Sequence, residues 1–556
     1  MNDSLINHWD IDLNYTGENE YSSFFSTNGS FHGYPAKAFP KMVSTIIQLL
    51  RSQYNIRSVL DPFVGSGTVG LEAKYSGLDF LGSDLNPLSI LLARTKVLTV
   101  HNTYTIKEIE KFLDNELNDS VIAEDDIPNF NKIDYWFKEK NIQEISIIRK
   151  KVDKFLSTRT KKYREQFALI LFTALSATIR KSSLSRNDEF KLYRMSPKKI
   201  KEHNIDSKKE FRENVEVILD MLQKINFPQQ TEVNSEVYLS NAKDLSYMGN
   251  RKVDLILTSP PYGDSKSTVA YGQYSKLSLQ WLGDLIKKYL NIPISTENCD
   301  EDLLGGKNSQ TTSIGSQILK ESETLSSLYD VMNKKVGHER KRYGEVLSYL
   351  NKLISNDKTQ EKLSLISGFS NNSLLWELIT ERLRLTILRK LKEIGTLSDK
   401  KVKEIAKYQA YKKMDSLAIG DKRHFYKTYK MIMENIPKVK ETIKRKISSY
   451  EKRKKEVMHF FEDLYAVVIK TNEVLNKDGI QAWIVGHRTV MGDITINFER
   501  ILSEWFSNLG YVNVTSLSRD YSFKRLPHSI NSTILRNEEI QTMLQEYILI
   551  VQKERG

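Results

Sequence analysis

A hydroxyl, two prolines and an aromatic ring follow one another at Ser259-Pro260-Pro261-Tyr262, directly after the run Val253-Asp254-Leu255-Ile256-Leu257-Thr258. A β-branched and aliphatic run stopped by two prolines reads as a buried strand that opens into a loop. The second proline forces Pro260 into an extended conformation. Neither proline carries an N–H, so the carbonyls of Ser259 and Pro260 can point into a cavity as acceptors. A flat tyrosine beside such acceptors suits a planar ring bearing an exocyclic amine. That is the geometry needed to hold a flipped-out nucleobase for chemistry on its amino nitrogen. Taken alone, the four residues fit an ordinary strand-ending turn equally well.

A second cluster stands upstream, where a short strand ends at Asp61 and Asp61-Pro62-Phe63-Val64-Gly65-Ser66-Gly67-Thr68 leads into a helix. Gly65 and Gly67 let the backbone approach a ligand closely, and the helix start offers N–H donors. No Gly-Lys-Ser/Thr follows, so this is not a nucleotide phosphate loop. The next strand, Leu78 to Gly82, ends in Ser83-Asp84-Leu85-Asn86-Pro87. An acid at the tip of the second strand is how doubly wound folds grip ribose hydroxyls. Asp84 is therefore a cofactor candidate, with Asn86 in the same turn; the alternative for Asp84 is a cap on the helix from Pro87 to Lys96. Asp244 is a further acid just beyond a strand, Glu236 to Leu239.

These loops need a parallel sheet to carry them, and the pattern supplies one in pieces. The expected fold is α/β, a Rossmann-like doubly wound sheet interrupted by two large helical insertions. Residues 1–30 form an N-terminal extension. A discontinuous core takes residues 31–103, 232–291 and 457–556. Residues 104–231 and 292–456 are the insertions. Within the core the reading places helices at Met42–Leu50, Leu277–Trp281, Phe460–Leu475 and Asn497–Leu509. It places strands at Gln481–Gly486, Tyr511–Leu517 and Glu546–Val551. The stretch Gly263 to Tyr274 is expected to be a polar loop.

The chain has 556 residues, 83 Lys and Arg against 70 Asp and Glu, and a formal charge of +13. That excess fits a polyanionic partner such as nucleic acid, or a generally lysine-rich proteome. The second insertion concentrates it in Lys438 to Lys446 and Glu451 to Lys455; the first carries a basic, hydroxyl-rich stretch at Arg180 to Phe190. No apolar run is long enough to cross a bilayer and no signal-peptide pattern opens the chain, so the cytoplasm is expected. The single cysteine, Cys299, excludes disulfides and cysteine-rich zinc sites. Nine histidines without paired spacing give no metal site.

In this order the motifs resemble the amino-group DNA methyltransferases that use S-adenosyl-L-methionine. Asp61-Pro62-Phe63 with Gly65-Ser66-Gly67-Thr68 resembles their cofactor loop, and Thr258-Ser259-Pro260-Pro261-Tyr262 their catalytic motif. His32-Gly33-Tyr34-Pro35-Ala36-Lys37 and Pro40 resemble their N-terminal cofactor segment, so Tyr34, Pro35 and Lys37 join the cofactor candidates. Lys524-Arg525-Leu526-Pro527 and Glu546-Tyr547-Ile548 resemble the end of the fold. The resemblance implies a cofactor along the Gly65–Gly67 turn, with Asp84 on the ribose and Asp244 near the adenine amine. It implies a base stacked on Tyr262 whose amine donates to Ser259 and Pro260, and a double-stranded DNA substrate.

Ser at the first motif position goes with cytosine N4 in the family, which makes that the first reading; adenine N6 is the runner-up. A cognate restriction endonuclease or other defence subunits are the implied protein partners. Cys299 lies outside any Pro-Cys setting, which disfavours carbon-5 chemistry on cytosine. An RNA guanine-N2 methyltransferase is a more distant alternative, since residues before Phe31 leave no room for an RNA-binding domain. A basic helical DNA-binding or assembly subunit with a relic methyltransferase core is the non-enzymatic one.

Overall fold

The computed structural model describes residues 13, 32–35, 37–99, 103–115, 127–186, 191–224, 233–263, 269–294, 299–308, 315–355, 373–394, 399–418, 422–520, 529–531, 539–541 and 545–554. Its centre is a seven-stranded sheet. In chain order the strands are β1 (Ser58–Asp61), β2 (Asp79–Asp84), β3 (Ser235–Leu239), β4 (Val253–Thr258) and β5 (Leu475–Gly486). A small hairpin of β6 (Arg488–Val490) and β7 (Ile494–Ile496) follows, then β8 (Tyr511–Asp520). A second small pair, β9 (Ser529–Asn531) and β10 (Glu539–Gln541), precedes β11 (Gln545–Lys553).

The sheet order is β3-β2-β1-β4-β5-β11-β8. The pairings from β3 to β5 are parallel, and β11 runs antiparallel to both of its neighbours. The chain therefore steps outward through β1, β2 and β3, returns, and steps the other way through β4 and β5. The reversal falls between β1 and β4, where an open α/β sheet forms its ligand crevice.

Side chains on successive strand residues point to opposite faces, and two hydrophobic clusters follow that alternation. Val59, Leu255, Leu257, Ile480, Ile484, Ile548 and Ile550 belong to one. Leu60, Ile256, Trp483, Val485, Leu549 and Val551 belong to the other. Ahead of the second insertion the helices are α1 (Pro40–Gln53), α2 (Thr68–Tyr75), α3 (Pro87–Lys96), α4 (Thr103–Asn115), α5 (Ile133–Trp136), α6 (Glu139–Ser157), α7 (Lys161–Ser182), α8 (Pro197–Glu202), α9 (Ser207–Lys224) and α10 (Tyr271–Leu290). After them come α11 (Gly315–Lys320), α12 (Glu323–Ser355), α13 (Ser373–Ile394), α14 (Asp399–Ala418), α15 (Lys422–Val474) and α16 (Phe498–Asn508). The first insertion, through Ile109, Ile145, Phe172 and Ile218, packs into the first cluster. The second insertion, through Leu325, Leu350, Leu375 and Ile443, packs into the second. The two insertions thus cover opposite faces of one sheet.

Three elements differ from the sequence reading. The helix expected over Phe460–Leu475 is the end of the 53-residue α15, which runs unbroken past residue 457 and contains Pro437. Leu475 opens β5 instead of closing the helix. Tyr271 and Tyr274, placed in a polar loop by the sequence, form the first turn of the 20-residue α10. The cause lies far along the chain, because the buried Asp300 carboxylate accepts the Gly272 N–H at 2.8 Å and the Gln273 N–H at 3.2 Å. A cap supplied by tertiary contact leaves no local signal. Phe31, Ala36, Asn187 to Phe190, Asp264 to Thr268 and Lys524 to Pro527 lie outside the described residues, as does the N-terminal extension apart from Leu13.

Candidate active site

The glycine loop and the Ser-Pro-Pro-Tyr motif meet at the sheet's reversal point. β1 and β4 pair in register through Val59–Leu255 and Leu60–Ile256, so both loops leave the same edge side by side. The Thr258 hydroxyl donates to Asp61 Oδ1 at 2.7 Å, tying one loop to the other. Asp61 also accepts the Phe63 N–H at 3.0 Å, which sets the turn through Pro62. Burial pushes the Asp61 carboxyl up to about 7, and the bonds from Thr258 and Phe63 offset only part of that.

Gly67 is the residue before α2 and has φ 84°; a Cβ there would stand 2.7 Å from Ala93 Cα. Both the left-handed backbone and the close approach of α3 therefore require glycine. No side chain caps α2, so its first N–H groups face the loop. Asp84, at the end of β2, accepts the Gly65 N–H at 3.0 Å and the Asn86 N–H at 2.9 Å. Burial raises its pKa. The loop is thus folded around one carboxylate while a second, Asp61, lies beneath it.

Tyr34 closes this region, with its ring edge 3.8 Å from where a Gly65 Cβ would lie. Its hydroxyl accepts a hydrogen bond from Asn86 Nδ2 at 3.1 Å. Asn86 is fully buried: Nδ2 also donates to the Ser275 hydroxyl at 2.7 Å, and Oδ1 caps α3 through the Leu88 N–H at 3.1 Å. The cap of α3 is therefore Asn86 rather than Asp84, and Asn86 braces Tyr34 instead of facing the crevice. Pro35 is buried beside it. Lys37 Nζ donates to the His32 carbonyl at 3.4 Å, and burial lowers its pKa.

Ser259 and Tyr262 are half-buried and Pro260 is buried. The Tyr262 hydroxyl donates to Glu546 Oε1 at 3.1 Å. Ser259 Oγ lies 3.4 Å from that hydroxyl, and because the phenol has one hydrogen, Ser259 is the donor there. Glu546 Oε2 is paired with Arg519 Nε at 3.1 Å. Arg488 donates through Nη1 to the Tyr262 carbonyl at 3.3 Å, and its guanidinium fills the place a Gly263 Cβ would need. Beside Tyr262 lies a shallow depression lined also by Val457, Phe460, Phe461, Arg488, Ile496 and Phe498. Aromatic side chains with a guanidinium beside them are groups on which a planar, hydrogen-bonding ring can stack and bond.

Glu546, Arg519, Arg488 and the three phenylalanines were absent from the sequence's site residues. A strand antiparallel to its neighbours starts where they end, so Glu546 and the C-terminal ends of β5 and β8 share the edge from which the Ser259-to-Tyr262 loop leaves, a pairing that only the structure shows.

Asp244 is exposed just past β3, and its Oδ1 accepts the Ser246 N–H at 3.2 Å. The adjacent Lys243 is ion-paired at 2.8 Å with Asp463 of α15, whose carboxylate is fully buried and also accepts the Gly305 N–H at 2.7 Å. The loop carrying Asp244 is thus fastened to the second insertion.

The chain matches the family model of the D12 class N6 adenine-specific DNA methyltransferases over residues 40–281. It is 32% identical over 357 residues to the type II methyltransferase M.MvaI of Kocuria varians, an alignment covering 60% of this chain and 74% of that one. The chain belongs to the DNA methyltransferases. Within this DNA methyltransferase the matched span contains the glycine loop, Asp84, Asp244 and Ser259 to Tyr262, but ends before Arg488, Arg519 and Glu546. The type II methyltransferase M.MjaII of Methanocaldococcus jannaschii is 28% identical over 111 residues, 20% of this chain and 19% of its own length. No solved structure gives a significant match. The family description names adenine N6, the runner-up of the sequence reading, and lends no support to cytosine N4. Among the described residues no helix is long and apolar enough to cross a membrane.

Proposed function

We propose that this DNA methyltransferase transfers a methyl group from S-adenosyl-L-methionine to the exocyclic amine of a base flipped out of double-stranded DNA. The observation that carries the reading is the Thr258–Asp61 hydrogen bond, which holds the glycine loop against the Ser-Pro-Pro-Tyr motif at the reversal point of the sheet. The cofactor fits the residues present: the carboxyls of Asp61 and Asp84 at the ends of neighbouring strands suit a sulfonium and ribose hydroxyls, the uncapped helix start suits the cofactor's carboxylate, and the buried Tyr34 closes over Gly65. Asp84, Asp61, Tyr34, Lys37 and the Gly65–Gly67 turn would hold it, with Asp244 at the adenine end. When bound, it supplies an electrophilic methyl on a sulfonium.

The protein's own task is positioning. Tyr262 stacks on the base, and the Ser259 side chain and the Pro260 carbonyl accept the amine hydrogens, leaving the nitrogen lone pair directed at the methyl. Transfer of this kind gains mostly from orientation. The cofactor would supply the methyl to the amine nitrogen from its sulfonium, leaving as the neutral thioether, and the amine proton would pass to solvent.

Adenine N6 is the target the matched family supports. Cytosine N4 is kept as the second reading because Ser259 stands where an acidic or amide residue would accompany adenine in the resembling family. The second insertion, residues 292–456, is proposed to read DNA sequence, and a restriction endonuclease is the partner implied by the type II relatives. The purified chain, given methyl-labelled S-adenosyl-L-methionine and unmodified duplex DNA, should label the DNA. Label in RNA alone, or in neither polymer, overturns the reading.

A further inference from the structure

Tyr262 is gripped at both ends by residues outside the span that matches the family. Its hydroxyl donates to Glu546 Oε1 at 3.1 Å, and its carbonyl accepts from Arg488 Nη1 at 3.3 Å. Glu546 is 4% exposed and is paired with Arg519, itself 8% exposed, at 3.1 Å. The two sit opposite each other in the β11–β8 register, while Glu546 faces Gly486 in the β11–β5 register. Arg519 also lies over the Phe39 ring at 4.7 Å, just before α1.

A carboxylate removed from water at this edge needs partners; the Arg519 guanidinium lies 3.1 Å from one oxygen as an ion pair, and the Tyr262 phenol donates to the other. The guanidinium alone would satisfy the charge, and it leaves the second oxygen aimed at the tyrosine. The bond to Glu546 is the shorter of the two that the hydroxyl makes, and it narrows the range over which a half-buried ring can turn about χ1 and χ2. A stacking platform must hold one plane before the base arrives, or the ordering is paid for during capture.

We infer that Glu546, the second residue of the inverted strand β11, is a positioning residue that fixes the plane of Tyr262 for base stacking, with Arg519 orienting Glu546 in turn. The inference rests on the base-stacking role proposed for Tyr262. It assigns the reversal of β11 a function, since only an antiparallel strand brings its beginning to the edge where the parallel strands end.

The test compares Tyr262→Phe, Glu546→Ala, Glu546→Gln, Tyr262→Ala and the Tyr262→Phe/Glu546→Ala double variant. Each is assayed by methyl transfer to bulk unmodified DNA, with KM for S-adenosyl-L-methionine and thermal unfolding measured alongside. Losing one hydrogen bond to a charged group should lower kcat about 10- to 100-fold in both Tyr262→Phe and Glu546→Ala. KM for the cofactor should stay at the parent's value. The double variant should be no slower than Glu546→Ala alone, because the bond that Tyr262→Phe removes is already gone in it. Glu546→Gln, which keeps an acceptor, should recover most of the rate. A Tyr262→Phe enzyme at the parent's kcat, or single effects that multiply in the double variant, would overturn the inference. Either result with an inactive Tyr262→Ala leaves the base-stacking role standing, whereas a fully active Tyr262→Ala brings down that role itself.

Discussion

Asp61 is a carboxyl that burial holds near neutrality. It ionises at about 7 instead of 3.8, and Glu72 in α2 is pushed up to about 7 from 4.5 for the same reason. In the unfolded chain both would ionise in the ordinary range, so between that range and 7 the folded state binds more protons than the unfolded one. The stability linked to these groups is complete below about pH 4 and is lost as pH rises through about 7. His32, whose pKa burial lowers from 6.5 to about 3, contributes the opposite slope, so the test is a difference between proteins. The melting temperature of Asp61→Asn relative to the ligand-free parent should rise on going from mildly acidic to mildly alkaline buffer. Thermal scans across that range check this, and a difference that does not change with pH would contradict it. At Tyr262, replacement by Ala should remove stacking worth about 1–3 kcal/mol. Because the ring is only half-buried, cofactor affinity and folding should persist; calorimetry alongside a methyl-transfer assay separates the two.

Among elements, α15 matters most beyond the sheet, because its Asp463 holds the loop that carries Asp244. The Asp463 carboxylate is fully buried and the Lys243 side chain 14% exposed. Removing one partner of such a pair leaves an uncompensated charge, so Asp463→Ala should destabilise the protein by about 3–5 kcal/mol. Changing Lys243 to Met and Asp463 to Leu together should restore much of that. Denaturant titration measures both, and a single variant within about 0.5 kcal/mol of the parent would show the pair to be dispensable.

The elements that the sequence revealed are those with local signatures. The apolar runs of β1, β4 and β11 and the glycine loop before α2 all stand where their residues indicated. Asp84 and Asp244 stand at strand ends as their positions implied. What stayed hidden depends on partners distant in sequence. Asp300 extends α10 back to Tyr271, Asn86 serves Tyr34 and the α3 cap at once, and Glu546 reaches Tyr262 across 284 positions. The continuity of α15 was masked because its last turns are dense in core residues, while ahead of them buried residues such as Ile443 and Tyr450 are spaced out among lysines.

On the scale of the molecule, the sheet is sandwiched between two insertions with different duties. The first shares its core with the glycine-loop side, through Val64 and Val69; the second shares its core with the residues beside Tyr262 and carries the basic runs. Those runs are not uniformly available. Lys446 lies 5.8 Å from the Tyr343 ring, Lys454 donates to Asn333 at 2.8 Å, and Arg453 pairs with Glu456 at 3.1 Å. Lys444, Lys452 and Lys455 are exposed and fall along one stripe of α15. Changing all three to Ala should weaken cognate and random duplexes alike, and should flatten the dependence of log affinity on log salt by up to about 0.9 per lost phosphate contact. Cofactor binding should be untouched. Parent affinity and slope in a fluorescence titration would make the stripe an ordinary solvated face, and would move the search to Arg180 and Arg186 on the first insertion.

The central claim, methylation of an exocyclic amine in DNA, is tested most directly by nucleoside mass spectrometry. DNA from a host lacking methyltransferases of its own, expressing this chain, is digested and compared with DNA from the Tyr262→Ala variant. The account predicts a methylated nucleoside carrying its methyl on the amino nitrogen, 6-methyladenine by the family match, and its loss or steep reduction in the variant. Finding 4-methylcytosine instead would keep the chemistry and move the target to the reading carried by Ser259. Finding 5-methylcytosine, or no methylated nucleoside at all from a folded parent, would contradict the account.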